Sequence, residues 1–400
     1  MTTDILIIGG GACGLAAAIE AKRQGADVTV VEKLERVGKK ILATGNGRCN
    51  LLNVHASPDD FNAPDFVRAV FEQYDVQSDM DFFRSMGLLT VTDSAGRVYP
   101  RSMSASSVLD VLRLECGRLG VQFVCGTPVS QLHKKGDFYT TGDLLARAVI
   151  VACGGKAAPA QGSDGSGYAL LQAFGHRITP LRPALVQIRT ETDFVKSLKG
   201  LRTTAALTLT EKNGNAHHTD GELLFTDYGL SGIAAMELSR FAKDGTTVAI
   251  DFVPELSHEA LFDYLRSCRE RDGERPLEQY LAGLLHSRIG QTLMKSALDV
   301  RLSAPCKTLS DKQLRLLTAA VKQKAIAVLG TKGFPDAQVT AGGAMLSEFS
   351  DTLESRRSPR LFAAGEILDV DGRCGGYNLT FAWSSGRLAG ASAARVCAVQ

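Results

Sequence analysis

The sequence predicts an α/β fold built on a Rossmann-like domain, and three observations carry that prediction. A short apolar run, residues 4–8, stops at Gly9-Gly10-Gly11-Ala12-Cys13-Gly14 and passes straight into a helical pattern, Leu15 to Ala21. A second strand, Asp27 to Val31, ends on Glu32, eighteen positions after Gly14. Two later apolar runs, Ala148–Cys153 and Leu361–Ala364, also end in glycine, so both ends of the chain feed one sheet.

Each element of the first unit has a reason. Gly9 allows the tight turn, Gly11 lets the backbone approach a pyrophosphate, and Gly14 lets helix and strand pack closely. The helix start offers N–H groups and a positive dipole end to phosphates. Glu32 can accept hydrogen bonds from ribose hydroxyls and would repel a 2′-phosphate. The glycine spacing alone is common; strand, glycines, helix, strand and acid in this order point to a dinucleotide, either FAD or NAD.

The following segment, Gly38 to Asn50, is read as a polar loop of small residues where an NAD-binding domain would proceed to another helix. Arg48, Cys49 and Asn50 together suit neither a core nor a simple turn, which favours a loop lying against a flavin. Glu366, just after the strand Arg360–Ala364, can bind ribityl hydroxyls, which FAD has and NAD lacks. Beyond Gly375-Gly376-Tyr377-Asn378-Leu379-Thr380, a helical run from Ala382 to Ala394 is expected to turn its positive end toward the flavin.

The cofactor expected is therefore FAD. Its expected contacts are Gly9, Gly11, Ala12, Gly14, Glu32 and Lys33; Lys39, Thr44, Gly45, Asn46, Gly47, Arg48, Cys49 and Asn50; Val129, Ala152, Gly154 and Gly155; and Gly365, Glu366, Asn378 and Leu379.

From about residue 189 the character changes. Thr203–Thr210 and Gly221–Phe225 read as strands around a Lys212-Asn213-Gly214 turn, with His217-His218 placed in that turn. Residues 257–330 carry helical spacings such as Leu314-Leu317-Val321. The expected division is 1–188 with 340–400 for the nucleotide domain, 189–256 with 331–339 for an antiparallel β-barrel unit, and 257–330 for a small helical cap subdomain.

Bulk properties narrow the function classes. The 400 residues are 44% hydrophobic and 22% charged with a formal net charge of +2, so no strong field invites nucleic acid or an anionic membrane. The nine cysteines form no CxxC pair and read as reduced thiols of a cytoplasmic protein. Asp4 stands where an export signal needs basic residues, and no apolar stretch approaches the roughly 20 residues of a membrane span. The seven histidines show no metal spacing, so no metal is expected.

The segments GGGACGLAAAI, GKKILATGNGRCNLLN, VTAGGAMLSEF and LFAAGEILDVDGRCGGYNLTFAWSSG, with GELLFTDYGLSG more loosely, resemble a bacterial NAD(P)/FAD-dependent oxidoreductase family. That family includes aminoacetone oxidases and 3-dehydro-bile acid Δ4,6-reductases. The resemblance covers residues 5 to 390; the GNGRCN and GGYNL–AWSSG blocks are its specific part. It implies a glutathione-reductase-like FAD domain whose inserted segment covers the flavin. Thr226-Asp227-Tyr228-Gly229-Leu230-Ser231-Gly232-Ile233 departs from the family, which commonly has a histidine and later a proline there.

Without a second GxGxxG unit there is no dedicated NAD(P)H domain, and without Cys-x₄-Cys no dithiol relay; NAD(P)H can serve as a transient donor, or dioxygen as acceptor. The reaction expected is NAD(P)H-linked reduction of an activated C=C bond in a small molecule. An oxygen-dependent amine oxidase and a flavin-containing binding or RNA-modification accessory protein are the alternatives. Tyr377, Arg48 and Asp227 are the candidates for proton transfer or substrate contact, set against a packed aromatic, a flavin contact and a solvated turn. The sequence assigns no oligomeric state.

Overall fold

The computed structural model describes residues 1–398, which form two compact units, Met1–Pro183 with the segment from Ala337 onward, and Ala184–Asp336. In the first, β1 (Thr2–Ile8) lies parallel to both β2 (Val28–Val31) and the strand Leu144–Val151, with Ile5 opposite Val28 on one side and Ala148 on the other. Gln122–Val124 extends the sheet beyond β2. Leu361–Ala363 joins Leu144–Val151 in parallel, so the carboxyl-terminal part of the chain completes the sheet begun at Thr2. Ile5, Leu6, Ile7, Val149, Ile150 and Val151 are fully buried, which is why these strands read as continuous apolar runs.

One face of the sheet is covered by α1 (Ala12–Arg23) and the terminal helix Tyr377–Ala398. These two pack backbone to backbone. A Cβ on Gly386 would lie 2.4 Å from the Cys13 carbonyl oxygen, and one on Gly390 2.3 Å from that of Ala17. The terminal helix begins at Tyr377, five residues before the expected Ala382, because the Thr380 N–H already bonds to the Gly376 carbonyl. Among the described residues, no helix is long and apolar enough to cross a membrane.

The second unit contains a closed antiparallel barrel in the strand order Ile188–Thr190, Gly229–Ser231, Ala216–Phe225, Arg202–Thr210, Thr247–Asp251 and Lys324–Thr331. Helices His258–Arg271, Ser287–Ala297 and Asp311–Lys322 share its hydrophobic core. Ser257 and Ser310 cap the first and last of these through their hydroxyls, the latter in a reciprocal box with Gln313. Two expectations are corrected here. His217 and His218 are not in a turn but on a ten-residue strand, paired with Leu209 and Thr208. The helical stretch ends at Lys322, and Lys324–Thr331 is a barrel strand.

Candidate cofactor site

The glycine turn after β1 is shaped for close approach. Gly9 has φ +109°, and a Cβ there would sit 2.5 Å from the Ala152 carbonyl oxygen; a Cβ on Gly14 would sit 1.9 Å from that of Gly9. Gly11 differs: its Cβ would meet nothing within 4 Å. It is the N-cap of α1, whose first turn has neither a side-chain cap nor an acidic residue. The N–H groups of Ala12, Cys13 and Gly14 therefore present an open, positive helix end beside free space, which fits a pyrophosphate.

Glu32 stands at the rim of that turn with each oxygen held by a backbone amide. Gly10 N donates to Oε2 at 2.8 Å and Leu34 N to Oε1 at 2.9 Å. Each oxygen keeps a second lone pair for a ribose hydroxyl. The loop carrying Val129 reaches the same rim, where the Thr127 N–H bonds to the Glu32 carbonyl. Lys33, expected as a contact, is paired instead with Asp164 at 2.7 Å. Burial opposes the Asp164 charge, but Lys33 and the Ser166 amide overcome it and hold its pKa at about 2.

The segment Gly38–Asn50 is not a plain loop. It opens with a five-residue helix, α2 (Lys39–Ala43), and continues as a 3₁₀ turn over Thr44–Gly47. Gly45, Asn46, Gly47 and Cys49 all adopt positive φ. Lys39 points to solvent. The Thr44 hydroxyl donates back to the Ile41 carbonyl at 2.6 Å. Cys49 is buried, and burial pushes its thiol up to about 11, so it is a neutral packing residue. The Asn50 Oδ1 atom is buried without a hydrogen-bond partner among the described residues. Arg48 is exposed, its guanidinium 5.3 Å from the centroid of the Tyr99 ring.

The returning strands close the cradle. Ala152 and Gly154 (φ +70°) follow Leu144–Val151, and a Cβ on Gly155 would lie 2.4 Å from Thr340 Oγ1. Gly365 has φ +75° and packs on Cys13. Glu366 receives Lys40 Nζ at 2.7 Å on one oxygen and the Thr340 N–H at 2.9 Å on the other. Lys40 and Thr340 were missed in the sequence. The signal for Lys40 was its position beside Lys39, which only a helix there turns to the other face.

Asn378 was expected to contact the cofactor. Its side-chain amide closes the preceding turn, donating to the Gly372 and Arg373 carbonyls and accepting from Gly372 N. What Asn378 and Leu379 offer is the N-terminus of the terminal helix. Tyr377 is a packed aromatic, 9% exposed and edge-on to Phe61. Asp227 belongs to the second unit and sits in an exposed turn closed by Thr226 onto Gly229, its carboxylate bonded to Lys199 at 2.6 Å. The candidates thus separate: Arg48 alone presents an uncommitted polar group.

The profile of the HI0933-like protein Rossmann domain matches residues 3–392. A 3-dehydro-bile acid Δ(4,6)-reductase of Clostridium scindens is 39% identical over 97% of this chain and 98% of its own. A ribosomal RNA dihydrouridine synthase of Escherichia coli is 30% identical over 96% of each chain. Among solved structures, 3-ketosteroid Δ1-dehydrogenase from Sterolibacterium denitrificans aligns over 99% of this chain and 100% of its own. Its TM-score is 0.51 at 12% identity, a likeness of fold.

Proposed function

Because this chain belongs to the HI0933-like Rossmann-domain family, we propose that it is an FAD-dependent reductase of a C=C bond conjugated to a carbonyl, taking its electrons from NAD(P)H. The carrying observation is the 39% identity to the C. scindens reductase, which extends over 97% of the chain and so includes the whole cradle. The dihydrouridine synthase supports the same reaction class, since dihydrouridine is a uracil ring saturated at the bond next to its carbonyl.

FAD, once reduced, supplies hydride to carbon. The chain's part is to hold it. The open Gly11 position and the first N–H groups of α1 bind the pyrophosphate. The remaining lone pairs of Glu32 take ribose hydroxyls. The start of the helix Tyr377–Ala398 gives positive potential to an electron-rich ring edge.

A second reading, favoured by the E. coli relative, makes the substrate a uracil base in RNA. One experiment separates the readings. The holoprotein is reduced anaerobically with NADH or NADPH, then mixed with a 3-oxo-Δ4 steroid, a uridine-containing ribosomal RNA fragment, or oxygen; aminoacetone is tried as reductant. Rapid reoxidation by the steroid supports the first reading and by the RNA the second. Reoxidation by oxygen alone, with reduction by aminoacetone, would show an amine oxidase.

A further inference from the structure

We propose that Arg48 takes the carbonyl oxygen of the conjugated substrate and stabilises the negative charge it gains. This rests on the reductase reading and adds to it the group that recognises that oxygen.

The loop around Arg48 takes an uncommon backbone path. Asn46 and Cys49 carry side chains yet hold φ +55°, with Gly45 and Gly47 beside them at +56° and +82°. Asparagine visits that region readily but cysteine does not, so at Cys49 the surrounding structure imposes it. The anchors are visible: Cys49 is fully buried, and its N–H bonds to the Thr44 carbonyl. The residue displayed between these anchors is Arg48.

Its guanidinium is held but not satisfied. Nε reaches the Gly45 carbonyl at 3.4 Å, and Cζ lies 5.3 Å from the centroid of the Tyr99 ring, itself 8% exposed on the strand Arg97–Pro100. Among the described residues it forms no ion pair. Arg97, on the same strand as Tyr99, shows the contrast, since its Nε meets Asp93 at 2.7 Å. A guanidinium beside an aromatic ring that uses one of its five N–H donors keeps the others for an oxygen acceptor.

Reduction of an enone needs such an edge. Hydride from reduced flavin forms a C–H bond at the β-carbon. The π pair of the C=C bond moves to the α-carbon–carbonyl bond, and the carbonyl π pair moves to oxygen. The flavin is oxidised by two electrons, and a proton from solvent on the α-carbon restores the ketone. Charge builds on that oxygen in the transition state, where a guanidinium binds it more strongly than in the ground state.

The test uses the oxidised holoprotein with para-chlorophenolate, a stable mimic of an enolate oxygen, and hexanoate as a plain carboxylate. Arg48→Met is expected to keep its FAD and its melting temperature while binding the phenolate about tenfold to a hundredfold more weakly, with Arg48→Lys recovering part of the loss and hexanoate little changed. The proposal is overturned if the FAD-loaded wild-type protein binds no phenolate. It is also overturned if Arg48→Met binds phenolate within twofold of wild type, if hexanoate is the ligand that weakens, or if both variants lose FAD. Wild-type protein that takes up no FAD overturns the reductase reading itself, and this inference with it.

Discussion

Lys40 and Glu366 lie 326 positions apart and meet at 2.7 Å, joining α2 to the end of the last strand of the sheet. The pair is partly shielded, with side chains 28% and 20% exposed. Glu366 also holds the Thr340 N–H, so one carboxylate ties three distant segments at the mouth of the cradle.

Removing the cation should therefore cost more than removing the charge. Lys40→Met strands a partly buried carboxylate and is expected to lower stability by about 1–2 kcal/mol, between an exposed pair and a buried charge-assisted bond. Glu366→Gln keeps an acceptor for Thr340 and leaves Lys40 free to reach water, so its melting temperature should fall less. Thermal unfolding of both variants checks the order; a larger loss in Glu366→Gln would show that Lys40 contributes little.

A second expectation concerns pH. Asp79 is fully buried, accepting from Arg387 and from the Ser384 hydroxyl. Burial outweighs both and pushes its carboxyl up to about 7 from an ordinary 3.8. The folded state thus holds a proton that the unfolded chain has already lost. By linkage, this contribution to stability is full below about pH 4 and disappears as pH rises to about 7. Asp79→Asn should flatten that part of the profile, with Arg387 still paired to Glu20 at 3.3 Å. Melting temperatures measured from pH 5 to 8 decide it: an equal decline in wild type and variant would place the titration elsewhere.

Asp227 is expected to matter little. Its carboxylate is paired with Lys199 on the surface, and that hydrogen bond lowers its pKa. Exposed pairs of this kind contribute little to stability. Asp227→Asn should match wild type in melting temperature and in turnover across enones and amines. A selective change on one substrate class would return this turn to the specificity argument.

Sequence reading succeeded where the signal is contiguous. The run Ile5–Ile8, the glycines, α1, β2 and Glu32 lie within one stretch, each with its own periodicity or turn residue, and the fold class follows. It failed where partners are remote or residue type is ambiguous. Nothing local links Lys40 to Glu366, or sets Gly386 and Gly390 against Cys13 and Ala17. Asn378 suits a ligand contact and a turn closure equally, and nothing local announces its bonds to Gly372 and Arg373. The first half of the strand Ala216–Phe225, with His217 and His218, reads as a turn because it is polar and buries none of its residues.

The glycines of the turn give the sharpest test of ligand against packing. A Cβ on Gly14 would stand 1.9 Å from the Gly9 carbonyl oxygen, a backbone atom that cannot move without breaking the turn. Gly14→Ala should therefore destabilise the protein with or without cofactor. Gly11 has nothing within 4 Å of its Cβ, and its φ of −82° is open to any residue. Gly11→Val should then fold with an apoprotein melting temperature close to wild type and fail to take up FAD, because the branched side chain fills the space in front of the α1 N–H groups. Wild-type protein should release FAD, and not FMN, on denaturation, since the pyrophosphate and ribose contacts recognise the half that FMN lacks. Fluorescence titration of each apoprotein with FAD, beside its melting curve, reads both effects. Full FAD uptake by Gly11→Val would contradict the proposed cradle, whatever Gly14→Ala does.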